Sequence, residues 1–141
     1  MARNVALLFE TGQRVPRSQA LAGLAARVAE AEKLSGMVNV VFCADTTIRA
    51  LNRRYRGLDK VTDVLSFPWD ERNFAGEIYI SPNKAKKQCG RFNNSYFNEL
   101  KRLIVHGVLH LCGYDHLKPK DRLIMRKRED FYLKRLNSPK K

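Results

Sequence analysis

The chain has 141 residues, 44% of them hydrophobic, and a formal net charge of +13 at pH 7. This length and composition suit one domain with a single core and exclude a disordered or low-complexity chain. No apolar run approaches the ~20 residues that a membrane span requires, and the first residues lack the apolar stretch of a signal peptide. We therefore predict one domain over residues 1–141, neither exported nor bound to a membrane.

Charge and cysteine content narrow the partners and the compartment. The basic excess favours association with polyanions, among which nucleic acid is the leading candidate. An anionic membrane surface is the competing one, but it is disfavoured because no segment combines a clean basic face with an exposed Trp, Phe or Leu face. The three cysteines, Cys43, Cys89 and Cys112, are an odd number without a Cys-x-x-Cys pair. This pattern is typical of free thiols in a reducing compartment, so we predict a cytoplasmic location.

The first half of the chain predicts strands and helices in alternation. Apolar residues alternate over residues 5–9, as in a half-buried strand, and Ser18 is a suitable N-cap for the helix that follows. That helix is expected to end near Gly36, because glycine readily adopts the left-handed conformation of a helix end. The β-branched run from Val38 to Cys43 predicts a second strand. Thr46 is a suitable cap for a second, shorter helix.

The middle of the chain predicts two further strands. Thr62–Phe67 has the composition of a strand, and Pro68 is expected to stop it because proline cannot donate a ladder hydrogen bond. Residues 70–76 are expected to form a turn. The fourth strand is then predicted over Glu77–Ile80.

The remainder predicts three helices. Ser81 and Ser95 are suitable N-caps, and Gly90 and Gly113 mark helix ends. The last helix is predicted over Pro119–Leu136, with a basic tail that frays from about residue 137. Three apolar residues in and just before it are spaced by seven, with three more beside them: Leu117, Ile124 and Phe131, and Met125, Tyr132 and Leu136. The whole order predicts an α+β fold, in which helices pack on a four-stranded mixed sheet.

All three histidines of the chain lie close together in the sequence. His106 and His110 are four residues apart on a predicted central helix, so their imidazoles share one face, whereas Cys112 faces the core. Gly113 ends the helix and lets the chain fold back, so that His116 can supply a third nitrogen. Three such ligands with an open fourth position are the usual catalytic zinc set. We therefore predict one Zn²⁺ at the end of this helix.

The spacing His-x-x-x-His-x-x-Gly-x-x-His also occurs in one class of zinc peptidases. Those enzymes carry a glutamate directly after the first histidine, where this chain has Gly107. A peptidase needs that carboxylate to pass a proton from water to the leaving amine, so a metallopeptidase is disfavoured. Phosphodiester cleavage mainly needs a metal and cations that neutralise charge, which a basic chain can provide.

Four segments of the chain, taken with their order and spacing, carry a family resemblance. They are Tyr55–Gly57, Thr62–Pro68, Gly76–Ile78 and His106–His116. Together they resemble the bacterial YbeY endoribonucleases, the ribosomal RNA maturation factors. The resemblance implies a zinc-dependent, single-strand-specific endoribonuclease that acts in maturation of small-subunit ribosomal RNA and in ribosome quality control. It also implies RNA as substrate and the small ribosomal subunit as partner, with no DNA expected.

Further residues are candidates for the site. Arg56 matches the family's essential arginine, so the resemblance implies a catalytic guanidinium that contacts the scissile phosphate in bidentate fashion. Asp63 or Asp115 can orient a histidine through its other ring nitrogen, and Asp115 can instead be a turn residue. Ser66 is expected beside the site as a hydrogen-bonding residue rather than a nucleophile. Leu117 stands where the family often carries an acidic residue.

Two alternatives stay open at this point. Trp69 and Phe67 can stack on an unpaired base, or they can simply pack in the core and at the turn that Pro68 begins. The protein can also be a non-catalytic ribosome assembly factor, in which a structural zinc holds a binding surface together and the basic tail grips RNA.

Overall fold

The protein is described here from a computed structural model, which defines residues 4–115 and 117–136. His116, the predicted third zinc ligand, lies outside these residues, and so does the tail that was predicted to fray from about residue 137. Within the defined residues, no helix has the length and apolar character needed to cross a membrane.

Four strands and five α-helices occupy the defined residues, in the predicted order. The strands are β1 (Val5–Phe9), β2 (Met37–Phe42), β3 (Val64–Glu71) and β4 (Phe74–Ile80). The helices are α1 (Ser18–Ala31), α2 (Asp45–Arg56), α3 (Pro82–Cys89), α4 (Tyr96–Leu111) and α5 (Pro119–Leu136), with a short 3-10 helix at Gly90–Phe92.

The strands form one mixed sheet in the order β1-β2-β4-β3. β1, β2 and β4 run parallel, whereas β3 is antiparallel to β4 and lies at one edge. Every second residue of β2 is completely buried, namely Val38, Val40 and Phe42, because these side chains point into the main core. The prediction of an α+β fold with helices on a four-stranded mixed sheet is confirmed.

The helices divide between the two faces of the sheet. α1 and α4 pack on each other and on the face that carries the main core. α2 packs on the opposite face, over a small cluster of Cys43, Ile48 and Leu65. Successive residues of β3 show this division, since Leu65 joins the α2 cluster while Ser66 hydrogen-bonds to α4. Edge strand β3 therefore separates the α4 side of the sheet from the α2 side.

α4 lies close to the sheet at Gly107. A Cβ atom placed on this glycine would lie 2.6 Å from Cγ2 of Ile78, a fully buried residue of β4. Position 107 therefore faces the sheet, and the absence of a side chain lets α4 lie this close. This contact sets the distance between the sheet and α4, the helix that carries His106 and His110.

Pro68 does not stop β3, so this prediction was wrong. β3 continues to Glu71, and only Arg72 and Asn73 form the turn, instead of the predicted residues 70–76. The reason is that β3 is an edge strand, where proline is tolerated because one side of the strand needs no ladder hydrogen bond.

Two of the four predicted N-caps are confirmed. The hydroxyls of Ser81 and Ser95 each accept a hydrogen bond from the backbone N–H three residues further on, at 3.0 Å in both cases. Ser18 and Thr46 instead lie inside the first turns of α1 and α2. At α2 the carboxylate of Glu10, from beyond β1, accepts the backbone N–H of Ala44 at 2.7 Å. The N-cap residue of α2 is thus Ala44, which has no capping side chain, and the start of this helix is tied to a distant carboxylate.

Two further features of the helices differ from the sequence patterns: the end of α1 and the buried face of α5. α1 ends at Ala31 rather than near Gly36, and Gly36 is needed for packing instead, since a Cβ there would lie 2.9 Å from the backbone nitrogen of Phe74. The bounds of α5 match the prediction, but its buried stripe does not contain the residues spaced by seven. The buried residues are Met125, Glu129 and Tyr132, whereas Leu117, Ile124 and Phe131 are exposed.

Candidate active site

An open cleft of about 330 Å³ lies between the second half of α4, the end of α2 and the start of β3. Its lining includes all the site residues singled out from the sequence that lie within the described part of the chain: Arg56, Asp63, Ser66, His106, His110 and Asp115. Leu117 also lines the cleft. The fold therefore gathers into one place residues that are far apart in the sequence.

His106 and His110 lie one turn apart on α4 and both line the cleft. Their ring centroids are 4.7 Å apart, with 72° between the ring planes. Nδ1 of His106 lies 2.5 Å from Oε2 of Glu129 on α5. Because an ionised carboxylate only accepts hydrogen bonds, Nδ1 of His106 is the donor in this contact. A carboxylate commonly orients a metal-binding histidine in this way.

The side chains around the cleft fit a metal ion that prefers nitrogen ligands. Two imidazoles share one face of α4, and Glu129 contacts the Nδ1 side of the His106 ring, which turns the Nε2 side away from Glu129. Among residues 4–115 and 117–136, no three His, Cys, Asp or Glu side chains are grouped for metal binding, and the third ligand expected from the sequence is His116. Cys112 packs partly buried against the main core, and burial raises the pKa of its thiol to about 11. A protonated thiol is a poor ligand.

Arg56 is the last residue of α2 and is exposed to solvent. Gly57 follows it with a φ of 72°, the left-handed conformation that ends a helix. Within the part of the chain that the structure describes, no hydrogen bond or ion pair holds the guanidinium of Arg56. Arg49, on the same helix, is in contrast paired with Asp59 at 2.8 Å. The charge of Arg56 is thus available to an anion in the cleft.

Asp63 belongs to a hydrogen-bonded network at the wall of the cleft. Its Oδ2 accepts a hydrogen bond from Nε2 of Gln88 at 2.9 Å, and the same nitrogen donates to Glu99 at 2.7 Å. Burial raises the pKa of Glu99, but hydrogen bonds from Arg102 and Gln88 outweigh this effect and leave the pKa below its ordinary value. Asp63 is therefore tied to α3 and α4, while the contact to a histidine ring is made by Glu129.

Asp115 and Ser66 hold the backbone around the cleft. Oδ1 of Asp115 accepts a hydrogen bond from the backbone N–H of Leu117 at 3.0 Å, a contact typical of an aspartate in a turn. The hydroxyl of Ser66 donates to the carbonyl oxygen of Gly107 at 3.1 Å and so joins β3 to α4. The geometry of Asp115 is that of a turn residue, and Ser66 makes a hydrogen bond between two walls of the cleft.

Glu32, just after α1, ties the loop that follows α4 to α5. Its Oε1 accepts from the hydroxyl of Tyr114 at 3.1 Å, and its Oε2 accepts from Nε of Arg128 at 2.9 Å and from the hydroxyl of Tyr132. Burial raises the pKa of Glu32, but these hydrogen bonds outweigh it and leave the pKa below its ordinary value. The result is a fixed position for α5, which presents Glu129 to His106.

The sequence reasoning missed both of these glutamates. Glu129 does carry a signal, because it lies between Met125 and Tyr132 on the buried stripe of α5, and a carboxylate there needs a partner. Glu32 carries no local signal, because its partners Tyr114 and Tyr132 are 82 and 100 residues away in the chain.

Comparison with known proteins gives matches over most of the chain. The family described as Endoribonuclease YbeY matches residues 12–137. An Endoribonuclease YbeY of Pelotomaculum thermopropionicum is 42% identical over 139 residues, covering 88% of this chain and 91% of the relative. One from Chlorobium phaeobacteroides is 38% identical over 133 residues, covering 93% and 96%.

A solved structure agrees with these matches. The solution structure of TM1509 from Thermotoga maritima has a TM-score of 0.66 and 31% sequence identity, covering 92% of this chain and 87% of that protein. The comparisons confirm the family that the four sequence segments predicted and, with it, the prediction of an enzyme of the nuclease class. The chain belongs to the endoribonuclease YbeY family.

Proposed function

We propose that the protein is a zinc-dependent endoribonuclease that cuts single-stranded RNA, in the maturation of small-subunit ribosomal RNA and in ribosome quality control. The observation that carries this proposal is the cleft in which Arg56 meets His110 and the Glu129-bound His106. A net charge of +13 suits a polyanionic substrate. The small ribosomal subunit is the proposed partner, on the family resemblance. Three free cysteines suit a reducing compartment, so we propose the cytoplasm.

His106, His110 and His116 are the proposed zinc ligands. Zinc held there would supply a Lewis acid for the phosphoryl group that is cut. Glu129 keeps the proton on Nδ1 of His106, so that Nε2 is available as a ligand. Ser66 holds β3 against α4 and thereby keeps the two walls of the cleft at a constant spacing.

Arg56 is the proposed contact to the phosphate. Negative charge on the phosphoryl oxygens must be neutralised in the transition state, and a guanidinium can donate two parallel hydrogen bonds to them. This arginine suits the role because it lines the cleft from the end of α2 without an ion pair among the described residues.

Peptide hydrolysis is a poorer fit to the same cleft. A peptidase would need its catalytic glutamate at the position of Gly107, but this position faces Ile78 in the core and not the cleft. A carboxylate added there would clash with β4 and could not reach a proton in the cleft. The geometry at Gly107 therefore favours phosphodiester cleavage, which needs no base at this position.

The experiment compares wild type with Arg56→Ala and Arg53→Ala on labelled single-stranded RNA, with zinc content measured for each protein. Arg53 is a matched control, because it is exposed in the same last turn of α2 and does not line the cleft. We expect Arg56→Ala to lose about 10²–10³-fold in cleavage rate, as when one donor to a transition-state oxyanion is removed. Arg53→Ala should cut like wild type.

Two outcomes would contradict the proposal. Full cleavage by zinc-loaded Arg56→Ala would remove the role given to this arginine. An absence of cleavage by zinc-loaded wild type, on ribosomal RNA precursors as well as short RNA, would instead support a non-catalytic assembly factor.

A further inference from the structure

The sheet face opposite α4 carries a second opening, a groove of about 360 Å³ beside the end of α2. We call it the aromatic groove, and its lining includes Leu51, Tyr55, Phe67, Trp69, Glu77 and Tyr79. Tyr55 is 58% exposed and Trp69 is 49% exposed, although both are large aromatic residues. The hydrogen bonds and zinc ligands of the proposed active site do not involve this groove.

The rings of the aromatic groove meet edge to face. Tyr55 and Phe67 have centroids 5.2 Å apart at 63°, and Phe67 and Tyr79 have centroids 5.7 Å apart at 75°. In each such pair the edge of one ring lies against one face of the other, so the contact leaves the remaining ring faces uncovered. Exposed ring faces are the platforms on which proteins stack unpaired bases. Arg54, whose guanidinium carbon lies 5.4 Å from the centroid of Tyr55, adds a positive charge beside this platform.

Glu77 places a carboxylate among these rings. It pairs with Phe67 across the β3–β4 ladder and lines the same groove. Burial and, next, the negative charge of Glu77 raise the pKa of Tyr79. A carboxylate in a groove of rings accepts hydrogen bonds and donates none. The Tyr79 hydroxyl already donates one hydrogen bond to Glu77, but a purely apolar occupant would leave the remaining acceptor sites of the carboxylate without a donor, which is unfavourable.

The aromatic groove and the cleft are lined by residues that are neighbours in the sequence. Tyr55 of the groove directly precedes Arg56 of the cleft, and Phe67 of the groove directly follows Ser66 of the cleft. β3, which separates the two openings, is the edge strand of the sheet. A strand of RNA that crosses this edge can therefore occupy both openings without passing through the protein.

We propose that the aromatic groove binds one unpaired base of the RNA, next to the phosphate held in the cleft, and that it favours guanine. This proposal rests on the proposed function. Guanine is favoured because its Watson–Crick edge presents two adjacent donors, N1–H and N2–H, which match the two oxygens of Glu77. The other three bases present a donor beside an acceptor and cannot match both oxygens.

Trp69 makes the test direct, because it is the only tryptophan of the chain. Its fluorescence is followed while zinc-loaded protein is titrated with 2′-O-methyl RNA hexamers that carry one guanine, adenine or cytosine among uridines. Each hexamer is checked for integrity afterwards. We expect saturable quenching, with tighter binding of the guanine hexamer.

Three variants complete the test. Tyr55→Ala should weaken binding about five- to hundred-fold, the range for loss of one stacked base. Phe131→Ala is the matched control, because it removes an exposed ring of α5 outside the groove, and it should bind like wild type. Glu77→Gln should still bind RNA but lose the preference for guanine, since an amide presents one donor and one acceptor.

The proposal is overturned if Tyr55→Ala binds all hexamers like wild type, as it would if the groove took a protein instead of RNA. An unchanged guanine preference in Glu77→Gln overturns the assignment of Glu77. Failure here is distinguishable from failure of the proposed function, because binding and quenching are measured without cleavage. Guanine-dependent quenching by a protein that cuts no RNA would sustain the base site and contradict the nuclease.

Discussion

Glu129 and Gly107 act on the histidines without lining the cleft themselves. Glu129 reaches His106 from a different helix and orients its ring through Nδ1. Gly107 leaves out a side chain and so sets how near α4 lies to Ile78. At the scale of single residues, the site therefore depends on one hydrogen bond and one close approach in addition to the proposed zinc ligands.

Replacing Glu129 tests the hydrogen bond. We predict that Glu129→Gln lowers zinc affinity about 10–100-fold, the usual loss when the partner of a ligating histidine is changed. Affinity is measured by competition with a chromophoric chelator. Asp130→Asn is the matched control, since it makes the same change at the exposed neighbouring residue. Equal zinc affinity of Glu129→Gln and Asp130→Asn would show that the contact does not orient His106 for a metal.

Replacing Gly107 tests the close approach. The added methyl of Gly107→Ala meets Cγ2 of Ile78 at 2.6 Å, and Ile78 is buried and β-branched, so it cannot swing away. We predict a free energy of unfolding lower by about 1–3 kcal/mol, as for other overpacked cores. Urea denaturation is the measurement.

Gly23 supplies the control for this substitution. It lies in α1, and a Cβ there would have no atom within 4 Å. Gly23→Ala should therefore raise the free energy of unfolding by about 0.5–1 kcal/mol through helix propensity alone. A Gly107→Ala protein as stable as Gly23→Ala would mean that α4 is not held against β4 at this point.

At the scale of elements, carboxylates join helices that meet only in the folded protein. Glu32 links the end of α1 to Tyr114 in the loop after α4 and to Arg128 and Tyr132 on α5. α5 in turn presents Glu129 to His106. The position of this histidine ring therefore depends on the docking of a helix that follows it in the chain.

The link through Glu32 should show in the pH dependence of stability. Its pKa in the folded protein lies below the ordinary value of 4.5. A lowered folded pKa gives stability that is present above the unfolded pKa and is lost as the pH falls through the folded value. We predict that wild type exceeds Glu32→Gln in free energy of unfolding near neutral pH, and that this excess shrinks as the pH falls below 4.5.

Urea titrations between about pH 3 and pH 7 measure this difference. Glu30→Gln is the control, because Glu30 is an exposed residue of α1 and makes no contact in the Glu32 cluster. An excess of wild type over Glu32→Gln that stays constant with pH would show that the ionised carboxylate does not stabilise the fold.

Local patterns in the sequence were sufficient to predict the type and order of the helices and strands, but not the contacts between them. Ser81 and Ser95 could be predicted as caps because each acts on its own helix, a few residues away. The hydrogen bond at the start of α2 could not be predicted, since the acceptor is the side chain of Glu10, which follows β1. The end of β3 was predicted wrongly for a similar reason, because a strand tolerates a proline such as Pro68 only when it lies at the sheet edge.

The candidate site divides in the same way. His106 and His110 could be found because four residues on a helix place them on one face. Arg56 could not be picked by charge among 27 basic residues and came from the family resemblance alone. Glu32 lies outside any local pattern, because the nearest hydrogen-bonding partner of its side chain is 82 residues away in the chain.

At the scale of the whole molecule, the sheet places two openings on either side of its edge strand. The α4 side holds the histidines and receives Arg56 from the end of α2. The other side holds the aromatic groove. With a net charge of +13, the molecule attracts a polyanion, and the edge of the sheet offers it a path between the two openings.

The most direct test of metal-dependent RNA cleavage in the cleft uses wild type and His110→Ala, purified in parallel, with zinc content measured on both. Each protein is assayed on labelled single-stranded RNA in three states: loaded with zinc, stripped of metal by a chelator, and with zinc restored. We predict that wild type cuts, stops when stripped and recovers with zinc, while folded His110→Ala never cuts. Equal cutting by His110→Ala without zinc would contradict the account.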